Sequence, residues 1–345
     1  MTEIVARAPG KLVLTGEYAA LRGAPALVAA IDRHAEARLR LAPDPGPVVV
    51  ESRAETGRWV ISDPEREEPT GGDLGAVLAA LRVASAWAPA LAGRGAEVMV
   101  DSCPFLLGGK KLGIGRSAAT VTATVAVFLA AAGHRDPAET LEAAVAAHAL
   151  FQESHGSGAD VAAVAHGGVI EFQRSGGRIR VTPRALPVGL ELVVGWTGEP
   201  VPTDPLLKRF AAAAAMREPP ALAALCEVAE RAAAAAVAGD AAGFGAAVTR
   251  TAELLERLGC EVGIPIVTSA LARLIAAAER CGAAAKPSGA GGGDCGIAFA
   301  TSPAQSEAIR AAWQAAGIVP LRVAIAPEGV RHESGGAESS EAALG

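Results

Sequence analysis

The sequence predicts an α+β protein of two lobes within one folding unit. The chain has 345 residues, of which 51% are hydrophobic and 20% charged, enough apolar mass for two fused lobes. Strand patterns dominate before residue 200 and return near residue 300, whereas the stretch between them is helical and rich in alanine. Three glycine-rich turns, far apart in sequence, interrupt these elements. Together these observations predict a mixed fold with loops that carry the function.

The first elements are predicted strands. Ile4–Ala8 and Lys11–Leu14 flank Pro9-Gly10, which predicts a strand pair joined by a turn. Ala26–Ile31 and Ala35–Leu41 predict two further strands, and the second alternates apolar and charged positions as a half-exposed strand does.

The remaining elements follow from the same periodicities. In chain order they are a hairpin with surface loops (42–73), a helix (74–87), a strand (96–102), a long apolar helix from Ser117, an amphipathic helix (139–154), a short helix opened by Asp160, strands at 169–173, 178–181 and 190–196, a helical region (205–279), and closing strands at 296–300 and 321–325. The small, polar and acidic residues 331–345 predict a disordered tail.

Charge and cysteine content exclude several classes of function. The formal net charge is -6 and the pI about 5.6, so nothing in the composition attracts nucleic acid or an anionic membrane surface. Five scattered cysteines without a CxxC pair argue against a disulfide framework and a zinc site, and fit a reducing cytoplasm. The N-terminus has no apolar signal core, and the longest apolar run is too short for a membrane span. We expect a cytoplasmic protein without nucleic-acid or membrane partners.

Two glycine-rich turns carry the clearest functional signal. In Gly289–Asp294, successive glycines indicate a backbone that approaches a ligand closely or adopts positive φ. In Leu112–Ala119, glycines lead into a long helix, where free N–H groups and the helix dipole form an anion site. The second turn is neither a Walker A loop nor GxGxxG, because no Gly-Lys-Ser/Thr follows and Ala118 replaces the third glycine.

Two further segments are weak signals when taken alone and become informative only together with these turns. Lys11 follows a Pro-Gly turn in a buried-looking strand and Gly156–Asp160 places an acid at a helix start, although a snorkelling lysine and ordinary helix caps would look the same. His148, Glu153 and His155 do not form HExxH, so we expect these histidines on helix surfaces.

Together and in this order, four segments resemble the motifs of GHMP kinases: APGKLVLTGEYAAL, LGIGRSAAT, GSGADVAA and KPSGAGGGDCGIA. The resemblance spans residues 4 to about 300. GSGADVAA and SGAGGGDCG are most similar to phosphomevalonate kinases, whereas mevalonate kinases usually have glycine where Asp294 stands. The resemblance implies an ATP-binding lobe like domain 2 of ribosomal protein S5 (1–185), a ferredoxin-like lobe (186–330) and the tail (331–345).

The resemblance also implies an activity and a site. The activity is ATP-dependent phosphorylation of 5-phosphomevalonate to 5-diphosphomevalonate on the mevalonate route to isoprenoids, with Mg²⁺, by a monomer or homodimer. Lys11 and Asp160 match catalytic positions, and the Ser117 hydroxyl would reach the metal. Nucleotide-binding positions are matched by Lys111, Gly113, Gly115, Arg116, Ser117, Ala118, Gly291 and Gly292. Acceptor-binding positions are matched by Tyr18, Ser157, Thr203, Ser288, Gly289 and Ala290.

One departure from the family pattern leaves alternatives open. Arg116 stands where the family loop normally has serine, and its guanidinium could either add a bidentate phosphate contact or crowd the loop. The alternative functions are another GHMP kinase, acting on mevalonate, a sugar or homoserine, and a non-catalytic sensor of the same fold. A second anion-binding cluster in the acceptor pocket would favour a phosphorylated acceptor.

Overall fold

Two β-sheets define two lobes in the computed structural model, which describes residues 3–67, 71–152, 156–201 and 203–333. The elements of the first lobe are β1 (Glu3–Thr15), β2 (Ala26–Pro45), β3 (Val48–Ser52), β4 (Gly57–Ile61), α1 (Gly72–Trp87), β5 (Arg94–Asp101), β6 (Leu106–Leu107), β7 (Lys110–Lys111), α2 (Arg116–Ala131), α3 (Pro137–Phe151), α4 (Ala159–His166), β8 (Val169–Ser175) and β9 (Arg178–Arg184). Its sheet has the order β14-β1-β2-β5-β3-β4, in which β14 is the late strand Arg331–Glu333, and β8 pairs with both β2 and β9.

The second lobe has a smaller antiparallel sheet of order β11-β12-β10-β13. Its elements are β10 (Glu191–Trp196), α5 (Thr203–Met216), α6 (Pro220–Ala238), α7 (Ala241–Val262), α8 (Ser269–Arg280), β11 (Ala284–Pro287), β12 (Cys295–Ala300), α9 (Pro303–Ala315) and β13 (Val319–Leu321). The chain then returns to the first lobe, where β14 (Arg331–Glu333) pairs with β1. The predicted α+β class is confirmed. Residues 331–333 of the predicted tail form a strand, and 334–345 lie outside the described residues.

Three local predictions were wrong, and some elements were missed. The predicted turn at Pro9-Gly10 is a register shift inside the continuous strand β1, because a sheet accommodates a proline at such an irregularity. Likewise, the two predicted strands after residue 26 form the single strand β2. The predicted strand 321–325 ends at Leu321, and Ile325 forms only an isolated bridge with Ile31. Finally, β11 and α9 were missed.

Helix α2 lies inside the first lobe. Its residues from Ala118 to Ala130 are all buried, which explains a largely apolar run that no charged residue interrupts. Within the part of the chain that the structure describes, none of the helices is both long and apolar enough to cross a bilayer. The run therefore reflects burial in a protein core.

A buried ion pair joins the two lobes. The Lys286 ammonium, on β11, donates to the carboxylate of Glu17, just after β1, and to the carbonyl oxygens of Pro287 at 2.7 Å and Val13 at 3.3 Å. The side chains of Lys286 and Glu17 are 0% and 1% exposed. Burial lowers the pKa of Lys286, and the Glu17 carboxylate opposes that shift. Both charges are shielded from water and depend on each other, so the pair fixes the glycine-rich turn Gly289–Asp294 against β1.

Removing one partner of this pair tests its importance. We expect Lys286→Met to lower the free energy of unfolding by about 3–5 kcal/mol, because the Glu17 carboxylate would stay buried without a cation. Chemical denaturation of the single variants and of Lys286→Met/Glu17→Leu measures this. The double variant should be more stable than Lys286→Met alone; equal or lower stability would contradict the assignment.

Candidate functional site

Two neighbouring clefts lie where the glycine-rich turns meet. The first, here called the glycine-loop cleft, encloses roughly 980 Å³ that no protein atom fills. The second, the Tyr18 cleft, encloses roughly 640 Å³. Lys11, Gln152 and Asp160 line both clefts and so mark the boundary between them. A group passing from a molecule in one cleft to a molecule in the other would pass these three side chains.

The glycine-loop cleft is built on the N-terminus of α2. Gly113 and Gly115 have φ of +74° and +88°, values that a residue with a side chain rarely adopts. The first N–H groups of a helix have no acceptor within the helix, and they carry the positive end of its dipole. The Lys11 N–H donates to the Ile114 carbonyl at 2.8 Å, so β1 fixes the loop from below. Gly10 permits this approach, because a Cβ there would lie 2.8 Å from the same carbonyl oxygen.

A serine, a histidine and an aspartate are arranged in series beside this loop. His148 Nε2 lies 3.1 Å from Ser117 Oγ, and His148 Nδ1 lies 3.9 Å from Asp160 Oδ1. Burial alone would raise the pKa of Asp160, but His148, Lys11 and nearby backbone N–H groups hold that pKa below its ordinary value. The Asp160 carboxylate is therefore ionised at neutral pH and faces the boundary between the clefts.

Asp294 closes the glycine-loop cleft from the second lobe. Its Oδ1 accepts the Val201 N–H at 3.0 Å, and its Oδ2 lies 3.6 Å from Lys111 Nζ. A Cβ on Gly113 would lie only 2.2 Å from the Asp294 Cβ, so the glycine makes room for the aspartate. Burial raises the pKa of Asp294, and Lys111 counteracts this shift most strongly.

The Tyr18 cleft contains most of the predicted acceptor-binding residues. Tyr18, Ser157, Gly289 and Ala290 line it. The Tyr18 hydroxyl donates to the Ala290 carbonyl at 2.6 Å, and burial raises its pKa, so the phenol stays neutral. Among the described lining residues, Lys11 is the only lysine or arginine.

Arg116 lines the glycine-loop cleft, but its guanidinium contacts two carboxylates. One Nη2 atom lies 2.7 Å from Glu55 Oε1 and 2.9 Å from Asp73 Oδ1, and Nε donates to Ser102 Oγ at 2.8 Å. The Asp73 side chain is 1% exposed and also accepts from the hydroxyls of Ser52 and Ser102. The arginine thus ties the start of α2 to the start of α1. This arrangement favours neither of the two roles that the sequence suggested.

Five predicted site residues lie away from the cleft linings or cannot be placed fully. The Ser288 hydroxyl exchanges hydrogen bonds of 3.0 Å with the backbone N–H and carbonyl of Val13. Gly291 and Gly292 pack against Ile266 and Leu206 of the second lobe, and the Ala118 side chain is buried. Thr203 opens α5, but its side chain lies outside the described part of the chain.

Sequence reasoning missed several residues of the clefts. His148 was expected on a helix surface, yet it is buried and contacts Ser117, a correction that follows from the packing of α3 against α2. Glu153 and His155 lie outside the described residues. Gln152 lies one helical turn after His148, and this spacing could have suggested a shared face. The glycine-loop cleft is also lined by residues that no sequence motif indicates: Gly71, Gly72, Asp73 and Phe151.

The donors in the glycine-loop cleft fit a hard divalent cation held partly by a ligand. The Ser117 hydroxyl and the Asp160 carboxylate line it, and such oxygens are the donors that Mg²⁺ prefers. The described residues contain no group of three histidine, cysteine or acidic side chains that could hold a metal ion alone. Mg²⁺ is commonly bound by one or two protein groups together with substrate phosphates, and the donors here suit that mode.

Comparison with known proteins identifies relatives over nearly the whole chain. Residues 232–319 match a family model described as "GHMP kinases C terminal". Phosphomevalonate kinase from a Streptomyces species is 34% identical, with 95% of this chain and 98% of that protein covered. Mevalonate kinase from Pyrococcus horikoshii is 26% identical, with 96% of this chain and 98% of that protein covered.

The fold has the same relatives. Phosphomevalonate kinase of Streptococcus pneumoniae, solved in complex with phosphomevalonate and AMPPNP, superimposes with a TM-score of 0.77 at 22% identity, covering 94% of this chain and 99% of that chain. At this level of identity the likeness shows the shared fold.

Gly113 offers a direct test of the close contact between the loops. Gly113→Ala should destabilise the fold, because the new methyl group would collide with Asp294. Gly109→Ala is the matched control: φ is +76° there, and nothing lies within 4 Å of the added Cβ. We expect the control to cost about 1–2 kcal/mol for the left-handed backbone alone, and Gly113→Ala at least twice as much. Equal losses in thermal or chemical unfolding would show that the contact is unimportant.

Proposed function

This chain belongs to the GHMP kinases, and we propose that it transfers the γ-phosphoryl group of ATP to 5-phosphomevalonate. The observation that carries the choice of acceptor is the 34% identity to the Streptomyces phosphomevalonate kinase over 95% of the chain. The mevalonate kinases that match over a similar length are only 26–27% identical. The two clefts, which share one boundary, give this activity a physical basis.

ATP binds in the glycine-loop cleft in this proposal. Its phosphates face the N–H groups at the start of α2, where the helix dipole favours an anion. Lys111 supplies a positive charge at the same cleft, and its side chain is 33% exposed. Ser117 offers its hydroxyl to Mg²⁺, which when bound would neutralise part of the phosphate charge.

Phosphoryl transfer takes place at the boundary between the clefts. An oxygen of the acceptor phosphate forms a bond to the γ-phosphorus while the bond from that phosphorus to the β,γ-bridging oxygen breaks, and ADP leaves. The acceptor phosphate has a second pKa of about 6, so it needs little deprotonation at neutral pH. The main requirement is positive charge that offsets the repulsion between the two substrates. Two like charges about 4 Å apart repel by roughly 4 kcal/mol at an effective dielectric constant of about 20.

Lys11 and Asp160 meet this requirement together. Lys11 lines both clefts and can contact the group in transit from start to finish. The ionised Asp160 carboxylate attracts Lys11 electrostatically, and His148, which lies between Asp160 and Ser117, orients the Ser117 hydroxyl. In this proposal the aspartate acts mainly as an electrostatic holder, and proton abstraction is secondary.

One observation favours mevalonate as the alternative acceptor. Lys11 is the only lysine or arginine among the described residues that line the Tyr18 cleft, and a second cationic cluster for a phosphorylated acceptor is not found there. In the proposal, the acceptor phosphate is bound instead by Lys11 and the Ser157 hydroxyl. A non-catalytic sensor is disfavoured by the joint placement of Lys11, Ser117 and Asp160.

An acceptor screen tests the function. ADP release is measured with ATP, Mg²⁺ and, in turn, 5-phosphomevalonate, mevalonate, galactose and homoserine. The proposal expects kcat/KM for 5-phosphomevalonate to exceed that for each other acceptor by at least about tenfold, which corresponds to 1.4 kcal/mol. A higher value for mevalonate would establish the alternative, and no turnover with any acceptor would favour the sensor.

Asp160→Asn tests the role of the aspartate. We expect kcat to fall by roughly 10²–10³-fold, as for other losses of a transition-state charge contact, while KM for ATP changes little. A phosphate with a second pKa of about 6 is already mostly dianionic at about pH 6.5 and is fully dianionic by about pH 9. Because the acceptor phosphate therefore needs no base, raising the pH over this range should not restore the rate of the variant. Recovery at high pH would instead identify Asp160 as a general base.

A further inference from the structure

Asp294 lies on the nucleotide side of the site. The sequence linked this residue to the acceptor, because mevalonate kinases usually have glycine there. In the structure it lines the glycine-loop cleft together with Lys111, Gly113 and Ser117, and it is not among the residues that line the Tyr18 cleft. An effect of Asp294 on substrate should therefore be exerted first on the nucleotide.

The backbone of Asp294 is held in an unfavourable conformation. Its φ is +54°, in a region that residues with side chains seldom occupy. Its carbonyl accepts the Thr197 N–H at 2.9 Å and the Thr197 hydroxyl at 3.0 Å, and its own N–H donates to the Glu199 carbonyl at 2.9 Å. Strain of this kind persists only where the surroundings enforce it, and it is concentrated at functional sites.

These contacts aim a single carboxylate oxygen into the cleft. Oδ1 is occupied by the Val201 N–H, which leaves Oδ2 facing Lys111 Nζ. The Asp294 side chain is 12% exposed and that of Lys111 is 33% exposed, so water screens the pair only partly. Lys111 Nζ also donates to the Val201 carbonyl, so the ammonium bridges the short β6–β7 hairpin of the first lobe to the second.

We propose that Asp294 is the counter-ion of Lys111 in the nucleotide-free protein, that it limits the affinity of the cleft for nucleoside triphosphates, and that it has no part in acceptor choice. This inference rests on the proposed use of the glycine-loop cleft for ATP. Entering phosphates have to share Lys111 with a fixed carboxylate and also approach that negative charge. The competition for Lys111 and the repulsion by the carboxylate both oppose nucleotide binding. For the same reason, both favour the departure of ADP.

Asp294→Asn is the decisive variant. Asparagine has the same shape, tolerates positive φ better than most residues, and retains an oxygen for the Val201 N–H. The Kd of Mg·AMPPNP, a non-hydrolysable ATP analogue, is measured by calorimetry without acceptor. We expect the Kd to fall by roughly three- to tenfold, a tenfold change being 1.4 kcal/mol, and the gain to shrink as salt is added.

Two further variants control for charge and for folding. Glu199→Gln changes the net charge by the same amount, on the segment whose backbone accepts the Asp294 N–H, but its side chain is exposed and does not line the cleft, so the Kd should stay unchanged. Asp294→Gly relieves the strain at φ +54° and also removes the carboxylate, so it should tighten binding in the same direction even if the asparagine variant folds poorly.

The outcomes separate this inference from the proposed function. If the wild type does not bind Mg·AMPPNP, the proposed function fails. If the wild type binds and both Asp294 variants bind equally or more weakly, the counter-ion role is overturned. A shift of preference from 5-phosphomevalonate towards mevalonate in Asp294→Gly would overturn the statement that the residue has no part in acceptor choice.

Discussion

The buried contact between Lys286 and Glu17 is the interaction on which the rest of the site depends. It joins the strand that precedes the third glycine-rich turn to the end of β1, with both side chains almost completely excluded from water. Removing either partner would leave an uncompensated charge buried between the lobes, at a cost of about 3–5 kcal/mol. The hydrogen bonds of Ser288 with Val13 and of Tyr18 with Ala290 lie along the same seam. The two clefts inherit their geometry from this seam.

Close backbone approach is the second requirement, and glycine meets it where a side chain would not fit. Gly10 lets β1 contact the Ile114 carbonyl, and Gly113 lets the loop before α2 contact Asp294. Segments more than 270 residues apart, such as Val13 and Ser288, thereby meet at one site. Fixing a glycine in a folded structure is entropically costly, because glycine loses more conformational freedom on folding than any other residue. Its repeated use here therefore marks contacts that the fold enforces.

Paired charges make the site selective despite the negative charge of the protein. Glu55 and Asp73 neutralise Arg116, and Asp294 opposes Lys111, whereas Lys11 lies at the boundary between the clefts. A polyanion therefore meets the positive charge of Lys11 at the boundary between the clefts. It meets the positive charge of Lys111 only if Lys111 leaves Asp294. This arrangement suits a kinase, which binds two negatively charged substrates in each cycle and also has to release a charged product.

The sequence by itself determined the α+β class, the order of most elements, the family, and the residues Lys11, Ser117 and Asp160 that the structure brings to one cleft. These follow from periodicity and from motifs that are local in sequence. Only the tertiary structure decided that His148 contacts Ser117, that Gln152 lines both clefts, that Arg116 binds carboxylates, and that Asp294 lines the glycine-loop cleft. Each of these depends on which distant segment packs opposite a side chain. Local sequence patterns carry no record of that partner, because the partner is selected by the packing of the whole fold.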